Sequence, residues 1–275
     1  MRLFFLTCSF VIITITSAQP PALKFEYLST SDGLSHNKIQ CILQDKQGYL
    51  WFGTIYGLNR YDGYTFKVFE NIPGDSLSLA NNDIVCLYQD SEDLIWMGTS
   101  TSSFSSYNPR TETFKNYSLP ATAEVIHDFE EDENGLLWLA TGNGLFSFNK
   151  KNKKILRYVT DNSGRENIQG ILKDKNKDIF WLSAETGIRN FNKKTGHIKS
   201  FNIPYPAFSD ISHEITHNII QDRYGNIWMS TSDKGIYCLN SQTGKLAPYS
   251  VNINNSTLLK NNVTTQLMED ADGKI

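Results

Sequence analysis

A ten-residue pattern built on an aspartate and a tryptophan returns along this chain at nearly constant intervals. Its first occurrence reads Asp45-Lys46-Gln47-Gly48-Tyr49-Leu50-Trp51-Phe52-Gly53-Thr54, and its second runs from Asp90 to Thr99. Further copies run from Asp132 to Thr141, from Asp174 to Ser183 and from Asp222 to Thr231. A sixth opens at Asp270-Ala271-Asp272-Gly273-Lys274-Ile275. Trp51, Trp96, Trp138, Trp181 and Trp228 are thus 45, 42, 43 and 47 residues apart. A period of about 40–45 residues carrying four short strands is that of a β-propeller blade. The expected fold is therefore all-β: about five blades of four antiparallel strands and the start of a sixth. Since the sequence breaks off inside a repeat, it is expected to be a fragment of a longer protein.

The first repeat shows how such a blade is encoded. Ile39 to Gln44 is rich in β-formers and alternates. Asp45 to Gly48 supplies a turn, with an Asp side chain able to accept a backbone N–H and a Gly able to take positive φ. Leu50 to Thr54 reads as a second strand, Gly57 to Asp62 as a third and Thr65 to Glu70 as a fourth. Third strands elsewhere open on Gly144, Gly187 and Gly235, whereas the second repeat places Ser103 there. Fourth strands are expected over Phe114–Tyr117, Ile155–Tyr158, Ile198–Phe201 and Leu246–Tyr249. Lys24 to Leu28 resembles a fourth strand with no blade before it.

Alignment on the motif aspartate predicts which faces are buried. Ile42, Leu87, Phe129, Ile171, Ile219 and Leu267 form one large apolar column, expected between blades. One residue earlier, Cys41, Cys86, Asp128, Gly170, Asn218 and Gln266 follow no single rule and are expected to border a water-filled channel. The tryptophan column is expected to be structural, because a ligand site is one place and the repeat is everywhere. Each buried indole removes about 150–250 Å² from water, on the order of 4–6 kcal/mol before entropy costs.

Composition closes off some roles. Twenty-six Lys and Arg against 29 Asp and Glu give a net charge of −3, with no basic stripe, so no nucleic-acid contact is expected. Arg2, the apolar run Leu3 to Ile15 and the small residues Thr16-Ser17-Ala18 read as a signal peptide over residues 1–18, leaving the propeller at 19–275. An uncleaved anchor is the alternative. Beyond Cys8, the three remaining cysteines make no disulfide framework. Cys41 and Cys86 occupy matching places in neighbouring repeats and are expected to be small buried apolar residues. A disulfide between them is the alternative.

Several motifs suggest chemistry and then lose it in context. His213-Glu214-Ile215-Thr216-His217 matches the zinc-protease pattern, which needs a helix. Here the segment leads into a strand, where residues four apart lie about 13 Å apart, too far to share one zinc. Asp270-Ala271-Asp272-Gly273 resembles a calcium loop but reads as a hairpin turn. Asn116-Tyr117-Ser118 and Asn262-Val263-Thr264 match the short glycosylation sequon. Glu130-Glu131-Asp132 are adjacent carboxylates expected to border solvent. No catalytic, metal-binding or cofactor-binding residue is nominated, and no cofactor is expected. Tyr56, Tyr64 and Tyr205 are aromatics in loops, and none is nominated as a site.

The pattern D-x-x-G-x-[LI]-W-[FM]-G-T, followed by G-L-x-x-[YF]-[DN], resembles the two-component regulator propeller repeat. Leu34 to Ile39 and Ser76 to Ile84 resemble that family's link into each blade, and the likeness covers about residues 23–275. The resemblance implies a seven-bladed ring in the periplasmic sensor region of a hybrid two-component histidine kinase. It further implies an oligosaccharide ligand, a homodimeric full-length sensor, and membrane attachment only through segments further along. The kinase would belong to the longer parent, so residues 1–275 are not expected to be an enzyme. A non-signalling interaction scaffold and a propeller-based polysaccharide lyase or hydrolase are the other readings.

Overall fold

The computed structural model describes residues 26–158, 167–175, 178–184, 187–202, 216–231, 235–249, 264, 266–270 and 272–275. Among the described residues, twenty strands make five four-stranded sheets, each an antiparallel meander in chain order. The first blade holds β1 (Ile39–Gln44), β2 (Leu50–Thr54), β3 (Gly57–Tyr61) and β4 (Phe66–Phe69). The second holds β5 (Ile84–Gln89), β6 (Ile95–Thr99), β7 (Ser103–Asn108) and β8 (Thr113–Ser118). The third holds β9 (Ile126–Glu131), β10 (Leu136–Thr141), β11 (Gly144–Asn149) and β12 (Ile155–Tyr158). The fourth holds β13 (Ile168–Lys173), β14 (Ile179–Ala184), β15 (Gly187–Asn192) and β16 (Ile198–Asn202). The fifth holds β17 (Thr216–Gln221), β18 (Ile227–Thr231), β19 (Ile236–Leu239) and β20 (Leu246–Pro248). First strands neighbour one another, β1 with β5, β5 with β9, β9 with β13 and β13 with β17. They are the inner wall, and the blades radiate from it.

The motif aspartate does more than cap a turn. Asp45 Oδ1 accepts the N–H groups of Gln47 and Tyr49 at 2.9 and 3.0 Å, while Oδ2 accepts the Trp51 indole N–H at 2.8 Å. Asp90, Asp132 and Asp222 repeat the clamp on Trp96, Trp138 and Trp228 at 2.8, 3.2 and 2.8 Å. Asp174 makes the same indole bond to Trp181 across one extra residue. One carboxylate therefore fixes both the hairpin and the rotamer of the wedge. Glycine supplies the left-handed corner at Gly48, φ +93°, and Asp93 takes that corner at φ +65°. Ion pairs to Lys46 and Arg110 hold it there.

The first three indoles are aimed at the next blade. Trp51 packs on Tyr107 with ring centroids 5.3 Å apart, Trp96 on Phe148 at 5.9 Å and Trp138 on Phe180 at 5.1 Å. These three indoles are buried, whereas Trp181 and Trp228 are only partly so. Tyr107, Phe148 and Phe191 hold one third-strand position, and Leu239 stands there in the fifth blade, so Trp181 meets a smaller cover. The large apolar column lies between blades as expected: Phe129, Ile171, Ile219 and Leu267 are buried. Ile42, on the face of the first blade turned away from the second, is 60% exposed.

Two expectations are corrected. The carboxylate run at 130–132 does not border solvent: Glu130 is half-buried, and Glu131 and Asp132 are buried in the seams. Lys150 of the third blade reaches back to Asp90 at 2.9 Å and Glu131 at 2.6 Å, and Lys193 of the fourth reaches Asp132 and Glu133. Lysines from the turn between third and fourth strands make that burial tolerable, since a buried carboxylate must be paired. Glu26 to Leu28 enters no sheet, and Tyr27 is 89% exposed, because no strand is beside it to complete a ladder. The lost glycine at Ser103 is absorbed by a longer turn in which Thr99 Oγ1 donates to the Ser103 carbonyl at 2.7 Å. In the first and third blades Thr54 and Thr141 make that bond to Gly57 and Gly144.

The signal segment 1–18, Cys8, Tyr205, His213 to Ile215 and the Asn262 sequon lie outside the described residues. Thr216–Gln221 is a strand, so the backbone of His217 is extended. Asp270 Oδ1 accepts the Lys274 N–H at 2.8 Å, as the turn reading requires. Asn116 commits its side-chain nitrogen to the Ser76 and Ser78 carbonyls.

Candidate ligand site at the axis

Every inner strand breaks regular pairing at one height. The register shifts between Ile39 and Cys41, Ile84 and Cys86, Ile126 and Asp128, Ile168 and Gly170, and Thr216 and Ile219. A β-bulge leaves one residue unpaired and re-aims its side chain. The bulged residues Gln40, Val85, His127 and Gln169 all line an open cavity of about 700 Å³ on the inner face of the first strands. They stand five positions before the motif aspartate, in the link-side half of each strand.

The column one residue later forms the rest of the wall. Cys41, Cys86, Asp128, Gly170, Asn218 and Gln266 all line the cavity, as their irregular chemistry suggested. They also stitch the seams. Asp128 Oδ2 accepts the Ile171 N–H at 3.1 Å, and Asn218 Oδ1 accepts the Leu267 N–H at 3.0 Å. The Cys86 thiol donates to the Ile126 carbonyl at 3.4 Å. Their sizes complement the facing strand: Cys41 faces Gly53, Cys86 faces Gly98, Asp128 faces Ala140 and Gly170 faces Ser183. A Cβ at Gly98 would lie 2.5 Å from the Cys86 sulfur and 2.8 Å from Ile126 Cγ2, so nothing larger than hydrogen fits.

Burial sets the charge state of the wall. His127 is pulled down to about 4 by burial, against a hydrogen bond with Asn167 that raises it, so the ring is neutral near pH 7. Asp128 is pushed up to about 7 by burial, with N–H bonds from Ile171 and Phe129 opposing and Glu130 adding to the rise. Cys41 is pushed up to about 12 by burial and Cys86 well above its ordinary value, so both stay protonated thiols. Both are free, and the disulfide alternative is not realised. Gln40 donates through Nε2 to Asp83 and Ile84, and Gln169 through Nε2 to Asn167 at 2.9 Å. Among the described residues no group of His, Cys, Asp and Glu side chains converges as a metal site.

Tyr56 and Tyr64, two of the loop tyrosines singled out from the sequence, are not brought together. Tyr56 sits beside His36 on the link side, with ring centroids 5.2 Å apart, while Tyr64 lies in the turn at the opposite end of the blade. What residue-level reading missed is the bulged column. Its signal is present: Gln40, Val85, His127, Gln169, His217 and Thr265 vary in chemistry where the neighbouring motif does not.

Comparison with known proteins decides what the repeat is. Residues 33–56, 78–101 and 209–233 match the two-component regulator propeller model. These segments are two-component regulator propeller repeats. A 71-residue stretch, 26% of the chain, is 45% identical to histidine kinase P4 of Formosa agariphila and spans 5% of that protein. The propeller is similar to the extracellular domain of BT3049, described as a hybrid two-component system of B. thetaiotaomicron. The TM-score is 0.57 at 20% identity, covering 90% of this chain and 39% of that one. It also resembles virginiamycin B lyase of Staphylococcus aureus, with a TM-score of 0.61 at 17% identity, covering 76% and 69%. At these identities the chain shares a fold with both, and the fold alone.

Proposed function

We propose that this propeller is the ligand-sensing part of a hybrid two-component sensor, held outside the cytoplasm and responding to oligosaccharides. The observation that carries the reading is the regulator repeat itself, joined to a stretch 45% identical to a histidine kinase. The extracellular placement of the BT3049 domain supports a periplasmic location. In this reading the chain binds and does no chemistry. Ligand binding biases the arrangement of propellers or of the two protomers of a homodimer, and a kinase elsewhere in the full-length protein reads that bias.

The test is genetic and biochemical. The reading frame containing these residues is expected to encode a membrane helix and a histidine kinase, and one without them supports the scaffold reading instead. Transcripts induced by oligosaccharides in the parent strain are expected to be lost when the gene is deleted. Cleavage of polysaccharide by the purified full-length protein would favour the lyase or hydrolase reading.

A further inference from the structure

We infer that the bulge ring is the recognition site of this sensor, and that its ligand is an uncharged, hydroxyl-bearing molecule such as a neutral oligosaccharide end. The inference rests on the sensor reading above and goes further by assigning the residues and the charge of what they bind.

Three observations support it. The first is the contrast between a repeated backbone and an unrepeated side chain. The same bulge recurs in all five inner strands, yet the residue it turns toward the axis is Gln40, then Val85, then His127, then Gln169. Identical seams demand identical residues, as the Asp and Trp positions show. A position that is held in place and changes its chemistry from blade to blade presents an asymmetric surface, which an asymmetric ligand requires.

The second is the distribution of polarity around the cavity. The wall from the first two blades is mainly apolar, with Ile39, Ile42, Val85 and Leu87 beside the amide of Gln40; the wall from the later blades carries His127, Asp128, Gln169 and Asn218. A saccharide ring has the matching division, a C–H face and hydroxyl edges. The volume, about 700 Å³, falls within the roughly 300–1,000 Å³ typical of small-molecule sites.

The third is charge. The lining holds no lysine or arginine among the described residues. A sulfate or uronate would enter a half-buried site with no cation to pair it and with the Asp128 carboxyl in the wall, which costs free energy. The neutral imidazole of His127 can donate and accept hydrogen bonds, as a hydroxyl does. Gln40 and Gln169 commit their amide nitrogens to neighbours, and no hydrogen bond engages their amide oxygens among the described residues.

Isothermal titration of the full-length protein tests this with maltotriose, xylotriose and laminaritriose as neutral probes, and trigalacturonate and a sulfated chondroitin disaccharide as anionic ones. At least one neutral probe is expected to bind, and the anionic probes are not. His127→Ala and Gln169→Ala are each expected to weaken binding about tenfold, the loss of one good hydrogen bond. Val85→Trp, which fills the cavity and removes no bond, is expected to abolish it, and Lys115→Ala on the outer strand to leave it unchanged. Urea midpoints of the variants separate lost binding from lost folding. A neutral probe that binds all variants equally overturns the axial site and leaves the sensor reading standing. Binding of anionic probes alone overturns the assigned ligand class, and binding of no probe overturns both readings.

Discussion

The two ends of each inner strand follow opposite rules. At the motif end one aspartate, one turn and one indole recur with the same bonds in blade after blade. At the link end the backbone deformation recurs while the side chain on it changes. Repetition marks what every seam needs to hold together. Variation on a fixed scaffold marks where the seams demand no single residue, although Gln40 still bonds Asp83 and Ile84 of the next blade, and there a fold can carry recognition at little cost in stability.

Substitutions at the two ends should therefore differ sharply in cost. The largest effect is expected for Asp90→Ala, which strips the turn and the Trp96 indole of their acceptor and leaves buried Lys150 short of one partner. The expected loss is about 3–5 kcal/mol, as for breaking a buried ion pair, read from urea denaturation. Gly98→Ala should cost about 1–3 kcal/mol by forcing a methyl onto Cys86 and Ile126. The double variant Cys86→Gly with Gly98→Ser recreates the Gly170 and Ser183 pairing of the fourth blade. It should be less destabilised than the sum of Cys86→Gly and Gly98→Ser alone, giving a coupling of about 1 kcal/mol in a double-mutant cycle.

The link end offers a subtler contrast through pH. His127 has a folded value near 4 against an ordinary 6.5, so the unfolded chain binds the extra proton between those values and stability rises with pH. Asp128 has a folded value near 7 against 3.8, so the folded chain holds the extra proton and stability falls as pH rises through that window. The two slopes oppose each other between about pH 4 and 6.5. Asp128→Asn should expose a loss of stability on acidification from pH 6.5 to 4, and His127→Gln a loss as pH rises from 4 to 7. Both side chains are only half-buried, so each effect should be about 1 kcal/mol after allowance for water in the cavity. Thermal unfolding across about pH 4–8 would show either slope or its absence. The smallest effect is expected for Gln169→Ala at neutral pH, under about 0.5 kcal/mol by urea denaturation. A cost as large as that of Asp90→Ala would make the bulge ring a structural element and erase the contrast between the two ends.

Much of the blade was legible in the residues. Ile39–Gln44, Leu50–Thr54 and Ile155–Tyr158 were readable as strands to the residue, because alternation, an Asp-to-Gly turn and a closing aromatic are local signals. The cavity-lining column from Cys41 to Gln266 was legible too, from its lack of a rule. Glu131 was misread, because its partner Lys150 arrives from a turn in the same blade and also reaches the blade before, and alternation says nothing about that. The site was the least legible part. Tyr56 and Tyr64 sit on loops as a sugar contact would, yet they occupy opposite ends of one blade.

By itself the sequence determined the period, the four strands of each unit and the aspartate–tryptophan pair, since these depend on residues within about ten positions of one another. Only the tertiary structure decided which side chains meet at the axis. Residues such as Gln40, His127 and Gln169 are more than 40 positions apart from blade to blade. A bulge is a choice between pairing registers, settled when neighbouring strands pack, and one slipped residue turns a side chain from the seam to the cavity.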